Sequence, residues 1–246
     1  MNTENLKPYR QDGSKREQVE EMFNNIAQSY DIFNKRLSLG INSVWRSHAI
    51  RFLQRQSAWP LNLLDVATGT GDLALEAAAS LGPEEIIGID ISEEMINRAK
   101  MKVEAAGLSD IITIRQEDCE HINCPDNYFD AVTSSFALRN FQNLDACLRE
   151  MYRVLNHNSY LVLLELSVPQ HFPMRQIYKF YQRIVFRYYG THLLRDKNAS
   201  DYLPKSMELF PHGQPMIERL SHIGFKEIQY KRLFTGMCVM YTCKKP

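Results

Sequence analysis

Leu63-Leu64-Asp65-Val66-Ala67-Thr68-Gly69-Thr70-Gly71-Asp72 is an apolar run ending in a glycine-rich turn, and an Ala/Leu-rich segment, Leu73 to Ala79, follows at once. A short apolar run bounded by glycines reads as a buried strand, and the segment after it as a helix. Gly69 and Gly71 let the backbone approach a ligand with no Cβ in the way, while the helix N-terminus presents unpaired N–H groups. The unit is a cradle for a nucleotide or nucleoside. Gly69-Thr70-Gly71-Asp72-Leu73-Ala74 also fits G-x-G-x-x-G/A, the dinucleotide pattern, which is weak evidence alone. Asp72, at the helix start, would repel a pyrophosphate and suits a cationic ligand better.

Working outward, Gly82-Pro83 stops that helix, and Glu85 to Asp90 forms a second strand ending in a carboxylate. Asp90 stands 19 positions after Gly71, where an acidic strand end can accept both ribose hydroxyls. Ser92 caps the next helix, whose buried face is Met95, Ile96, Ala99 and Val103. A third strand, Ile111 to Ile114, leads to Asp118-Cys119 at the same sheet edge. There an adenine amino group can donate to Asp118 and a ring nitrogen can accept from the Cys119 backbone N–H. A fourth strand, Phe129 to Thr133, opens onto Ser134 to Asn140, and a helix (Asn143 to Leu155) and fifth strand (Tyr160 to Leu166) complete the alternation. This pattern predicts an α/β fold with five parallel strands and right-handed crossovers. Phe225 to Phe234 and Met237 to Lys244, joined at Thr235-Gly236, predict a C-terminal hairpin whose last strand is antiparallel.

Flanking segments frame this core. Residues 1–14 read as a flexible solvated tail and 15–246 as one domain. Within it, 15–58 holds two helices that cover either the glycine turn, as a lid, or merely a sheet edge. The first, Lys15 to Ser29, carries Val19, Met22, Phe23 and Ile26 at helical spacing. Residues 169–212 read as a helical, aromatic insertion. In it Arg175, Lys179, Arg183 and Arg187 recur every four residues, a basic stripe with Ile177, Tyr181, Ile184 and Tyr188 on another side. Lys/Arg beside aromatic residues suits an anionic membrane surface.

The 246 residues carry 29 basic and 29 acidic side chains, a formal net charge of zero that argues against a nucleic-acid binder. Five cysteines without a C-x-x-C pair suggest no metal site and read as reduced thiols of a cytoplasmic protein. No signal peptide or bilayer-length apolar run is visible.

The Leu-Asp-Val-x-x-Gly-x-Gly stretch resembles motif I of the class I S-adenosylmethionine (SAM) methyltransferases, which also finish their Rossmann-like sheet with an antiparallel strand. Three segments narrow the resemblance to the quinone-biosynthesis C-methyltransferases, the demethylmenaquinone and ubiquinone ring-methylating enzymes, from about Arg16 to Lys244. They are Tyr30-Asp31-x-x-Asn34 with Leu37-Ser38, Gly40-Ile41 and Trp45; Ser135 to Asn140; and Met151 to Leu155 with Glu165 and Ser167. Asn42 departs from the family's usual His, Phe33 from Met and Ala137 from Gly, and Asn156 to Ser159 replaces a Lys-Pro-Gly-Gly turn. The resemblance implies SAM contacts at Thr70, Asp90, Asp118, Cys119 and Ser135, beside the cradle glycines Gly69 and Gly71. It implies methylation of a polyprenyl quinol, demethylmenaquinol or a ubiquinone precursor, by a cytoplasmic enzyme peripheral at the inner face of the membrane, with a homodimer as a candidate assembly. Arg139, and secondarily Tyr30, are candidates to polarise a quinol oxygen or hold a proton-accepting water. A SAM methyltransferase for another lipid and a nicotinamide-dependent reductase are the competing readings; Asp72 and the hairpin oppose the latter.

Overall fold

The computed structural model describes residues 3–9, 12–38, 40–56, 61–189 and 196–246, without the side chains of Phe186, Arg187 and Tyr189. Its centre is a sheet of β1 (Asn62–Val66), β2 (Glu85–Asp90), β3 (Ile112–Gln116), β4 (Phe129–Ser135), β5 (Leu155–Leu166), β6 (Lys226–Leu233) and β7 (Cys238–Lys244). The order is β3-β2-β1-β4-β5-β7-β6. β1 to β5 pair in parallel, while β7 lies antiparallel between β5 and β6. The five parallel strands and reversed final strand are those the alternation predicted.

Side chains alternate across this sheet with period two. Leu63 and Ile86 enter one apolar layer with α1 (Lys15–Leu37), α2 (Asn42–Gln56), α3 (Asp72–Leu81) and α4 (Glu93–Ala105). Leu64, Val66, Ile87 and Ile89 enter the other with α5 (Leu144–Val154) and α8 (Gln214–Ile223). Both faces are covered, so these strands read as continuous apolar runs. The insertion is α6 (Met174–Tyr189) and α7 (Lys197–Leu209), packed on the α1 side.

α1 starts with a reciprocal cap in which Ser14 Oγ accepts from Glu17 N at 3.2 Å and Glu17 Oε2 accepts from Ser14 N at 2.8 Å. It runs eight residues beyond the expected end at Ser29, to Leu37. Phe33 and Leu37 are buried at helical spacing, so the polar Asp31, Asn34 and Lys35 sit around a buried stripe rather than in a loop. β5 likewise begins at Leu155 instead of Tyr160; Asn158 takes the left-handed backbone (φ 62°) expected of Asn in that turn.

The expectation of a flexible tail over residues 1–14 is corrected for its described residues. Thr3 and Tyr9 are buried, Tyr9 donates to Asp196 Oδ2 at 2.5 Å, and Glu4 meets Arg219 at 3.3 Å. The buried Lys15 ammonium donates to the carbonyls of Thr3, Arg139 and Phe141 at 2.8, 3.0 and 2.9 Å. A polar segment reads as solvated when its partners are main-chain carbonyls far along the chain. Burial pushes Lys15 down to about 8, against the pull of Glu4.

Candidate active site

The C-terminal ends of β1, β2 and β4 and the turn after β3 open into a cleft with about 730 Å³ of free volume. It lies at the sheet edge where doubly wound folds bind ligands. Six of the site candidates line it: Tyr30, Gly69, Asp90, Asp118, Cys119 and Ser135. Asp90 closes β2; its carboxylate accepts from Gly69 N at 2.8 Å and Ser92 N at 2.9 Å, which fixes its orientation. Burial raises its pKa while these backbone donors oppose the rise. Asp118 meets Arg16 Nε at 2.8 Å and accepts from Glu120 N at 3.0 Å. Cys119 Sγ lies 2.7 Å from Cys147 Sγ, and burial pushes its thiol up, so it stays protonated. The five cysteines are free.

α1 roofs this cleft. Arg16, Val19, Phe23 and Tyr30 all line it, a spacing of three, four and seven that keeps them on one helix face. Asn24 Oδ1 accepts from the Ser92 hydroxyl at 2.7 Å and Glu94 N at 3.2 Å, seating the helix on the start of α4. Of the two positions left open for the N-terminal helices, α1 occupies the one over the glycine turn.

Thr70 and Gly71 are placed differently. The buried Thr70 hydroxyl donates to Asp31 Oδ1 at 2.6 Å and is not among the cleft's lining residues. Gly71 has φ 80°, and a Cβ there would come within 3.2 Å of Ala99 Cβ, so its need for glycine lies in the turn and its packing on α4. Asp72 does not await a cationic ligand: Lys102 pairs with it, and Arg46 reaches it at 3.2 Å. Lys102 also meets Asp31 at 3.3 Å, so one cluster latches the roof helix to the glycine turn. Beneath the turn, buried Asp65 accepts from the hydroxyls of Thr68 at 2.7 Å and Thr133 at 2.8 Å. Burial pushes Asp65 up to about 6.

A second cavity, of about 250 Å³, adjoins the first. Tyr30 and Phe136 line both and form the wall between them. Phe136 has φ 62°, a strained value for a bulky residue, held by its N–H to Leu164 O at 2.7 Å and its carbonyl to Arg139 Nη1 at 2.5 Å. Arg139 lines this second cavity rather than the cleft. Its Nη1 also donates to Glu165 Oε1 at 2.5 Å, and Glu165 accepts further from the N–H groups of Arg139 (3.1 Å) and Leu166 (2.7 Å). Both residues are buried. Burial raises the Tyr30 pKa, so its hydroxyl keeps its proton and serves as a donor rather than a base. Asn42 lines the second cavity only, and neither lining includes a histidine among the described residues.

Sequence reasoning quoted Trp45 and Glu165 only as parts of motifs. Both belong to the site: Trp45 lines the second cavity, its ring 5.9 Å from that of Phe136, and Glu165 anchors Arg139. A carboxylate in an otherwise apolar strand, Leu161 to Leu166, was the available signal, since a buried charge needs a partner. On α6 the inward face is Tyr178, Gln182 and Val185, while Ile177, Phe180, Ile184 and Tyr188 are exposed. Arg175, Lys179 and Arg183 are exposed; the Arg187 side chain lies outside the described residues. Tyr181, expected on the free apolar side, is partly buried and donates to Arg36 O at 2.7 Å.

The model of the ubiE/COQ5 methyltransferase family matches residues 11–245. The chain is 47% identical to a demethylmenaquinone methyltransferase of Bacteroides fragilis, over 98% of each chain. It is 38% identical to a ubiquinone/menaquinone biosynthesis C-methyltransferase UbiE of Geotalea daltonii, over 94% of this chain and 97% of the relative. A solved SAM-dependent methyltransferase from Aquifex aeolicus superposes with a TM-score of 0.57 at 17% identity, over 80% of this chain and 88% of its own, a likeness of fold alone.

Proposed function

The chain belongs to the ubiE/COQ5 methyltransferase family, and on that premise we propose that it methylates the ring carbon of demethylmenaquinol, SAM in the cleft and the quinol in the adjoining cavity. It is a SAM-dependent methyltransferase of menaquinone biosynthesis. The observation that carries the assignment of cavities is the shared wall of Tyr30 and Phe136, which lets two ligands meet across one boundary. The donor set suits SAM: a mostly apolar cleft holding the carboxylates of Asp90 and Asp118 fits a cationic ligand with ribose hydroxyls and an adenine amine. When bound, SAM supplies a methyl on a sulfonium sulfur, which takes the electron pair of the breaking C–S bond. The chain's part is to hold the ribose at Asp90, exclude water under α1, and keep the quinol ring against Phe136. A ring carbon becomes nucleophilic once a ring hydroxyl is ionised, and after the new C–C bond forms it sheds its own proton. Arg139 and the donor Tyr30 are our candidates to hold that ring oxygen or a water beside it, a reading supported by their both lining the second cavity.

The polyprenyl tail calls for a lipid-facing mouth. Met174 and Ile177 of α6 and Phe234 after β6 line the second cavity, and Ile177, Phe180, Ile184, Tyr188, Phe172 and Phe234 are all at least half exposed. With Arg175, Lys179 and Arg183 beside them, they have the composition of an interfacial helix. No helix among the described residues is long and apolar enough to cross a membrane. The exposed apolar and basic face of α6 supports an enzyme peripheral at the inner face of the membrane, drawing its substrate from the inner leaflet. Flotation with anionic vesicles at low salt, lost on replacing the four basic residues by Gln, tests this; absence of binding at low salt removes it. Sedimentation tests the homodimer. A ubiquinone precursor is the second acceptor, favoured by the name of the Geotalea relative. Labelled SAM given with a lipid extract holding both demethylated quinols decides: label in menaquinone is expected, and label only in ubiquinone or another lipid overturns the reading.

A further inference from the structure

A third cavity, of about 560 Å³, lies beside α6 where the chain leaves β5. Successive residues of α6 divide between two cavities. Met174, Ile177, Tyr178 and Tyr181 line the acceptor cavity, whereas Arg175 and Lys179, one turn apart on a different side, line this one. Lys179 meets Glu208, the one carboxylate of the lining, at 3.1 Å, and Arg175 pairs with no acidic side chain among the described residues. Gln170 Oε1 accepts from Arg232 Nη2 at 2.5 Å, so the two N–H groups of that amide are left to donate into their surroundings. The buried Ser167 adds a hydroxyl. Burial lowers the pKa of His212, so its ring adds no charge. The lining therefore carries one net positive charge, from Arg175 and Lys179 against Glu208, with Arg232 behind Gln170. A phosphodiester carries one negative charge and oxygens that only accept, and a guanidinium suits it well.

Resting on the peripheral reading above, we propose that this cavity binds the phosphate of an anionic phospholipid, held by Arg175, Lys179 and the Gln170 amide. The surroundings place it at the right depth. Ile177, Phe180, Ile184 and Tyr188 of the same helix are at least half exposed, as is Phe172, two positions after Gln170. A helix lying in the interface by that apolar side keeps its flanking cations at the level of the headgroups. Lys179 and Glu208 are both about half exposed, so their pair is weak and the ammonium can turn to a phosphate at small cost. Because α6 also walls the acceptor cavity, one seated phosphate sets Met174, Ile177 and Phe234 against the bilayer that carries the polyprenyl quinol. The basic stripe as a whole draws the chain to any anionic surface, whereas the cavity reads the phosphate group itself. Arg183, one turn beyond Lys179, is exposed but outside the cavity's lining, and serves only the general attraction.

The test is flotation of the full chain with neutral galactolipid vesicles, made equally anionic with phosphatidylglycerol or with a fatty acid, so that only the first offers a phosphate. Wild type is expected to bind the phosphatidylglycerol vesicles at least about tenfold more tightly. Arg175→Gln should bring the two to within about twofold, and Arg183→Gln should weaken both alike. Both arginines are exposed, so both variants should melt with wild type. Equal binding of wild type to the two vesicles overturns the proposal without any variant, and leaves a peripheral enzyme held by its stripe. An Arg183→Gln that abolishes the preference as fully as Arg175→Gln overturns it too. Binding to neither vesicle removes the peripheral reading and the site together. Calorimetry with glycerol 3-phosphate separates the sources of such a group: tight, saturable binding without any preference between vesicles assigns the cavity to a soluble phosphate compound and overturns the lipid.

Discussion

The cofactor cleft and the acceptor cavity share a wall yet are built by opposite means. The floor of the cleft is made of strand ends and turns within one alternating unit, which holds Asp90 through Gly69 and Ser92, and the distant α1 only adds the roof and the Arg16 pair with Asp118. The acceptor cavity is assembled from α1, α2, α6, the turn after β4 and the turn before β7, and its key ion pair joins residues 26 positions apart. A motif can encode the first arrangement. The second exists only once distant elements have met. Damage in the cleft should therefore be confined to cofactor binding, whereas damage behind the cavity should reach the fold.

The largest effect is expected at Glu165. Glu165→Ala strands a buried guanidinium, and urea unfolding should show a loss of about 3–5 kcal/mol together with the loss of turnover. Pairing Glu165→Leu with Arg139→Met removes both charges, and stability should return to within about 1 kcal/mol of wild type. If turnover returns as well, the ion pair is scaffolding and the cavity loses its polar role. Asp90→Ala comes next: about 2–4 kcal/mol of cofactor binding, or 30- to 1,000-fold in SAM affinity, with the fold intact. Calorimetry that finds SAM affinity within threefold would sink the ribose assignment.

That asymmetry also marks what the sequence made legible. The glycine turn, the alternation through β5, the terminal hairpin and the strand-end carboxylate Asp90 are local patterns, readable from spacing. Thr70 was assigned to the cofactor by resemblance, but its hydroxyl is engaged by Asp31, a residue 39 positions away that only tertiary packing brings close. Nothing local to Lys15 shows that its acceptors are the carbonyls of Arg139 and Phe141. Trp45 lay in a recognised motif, yet an unpaired indole N–H is visible only once the packing around it is known.

Two smaller tests sharpen the boundary between the regions. Asp65 lies beneath the glycine turn, and its folded pKa of about 6 exceeds its ordinary 3.8. The folded chain thus holds that proton more tightly; the contribution, of order 3 kcal/mol, is full below about pH 4 and is lost as pH rises through about 6. The stability of wild type relative to Asp65→Asn should fall by that order between pH 4 and 7, and parallel curves would contradict the burial. The latch is weaker still. Asp31→Asn keeps an acceptor for Thr70 and loses only the half-exposed pair with Lys102, so less than about 1 kcal/mol in stability and a few-fold in SAM affinity are expected. A large loss of acceptor turnover instead would mean that the roof helix controls both chambers.

The Lys15 ammonium also sets a schedule. Two of its acceptors lie 124 and 126 positions downstream, and the partners of α1's apolar face come from α4 and α6. During synthesis the roof helix leaves the ribosome before the sheet and must wait, its Val19, Met22, Ile26 and Phe33 uncovered, until most of the sheet has been made. The element that closes over the cofactor is translated ahead of the sheet it covers and is among the last to dock, so a chain stalled before residue 139 would display that stripe to chaperones and proteases.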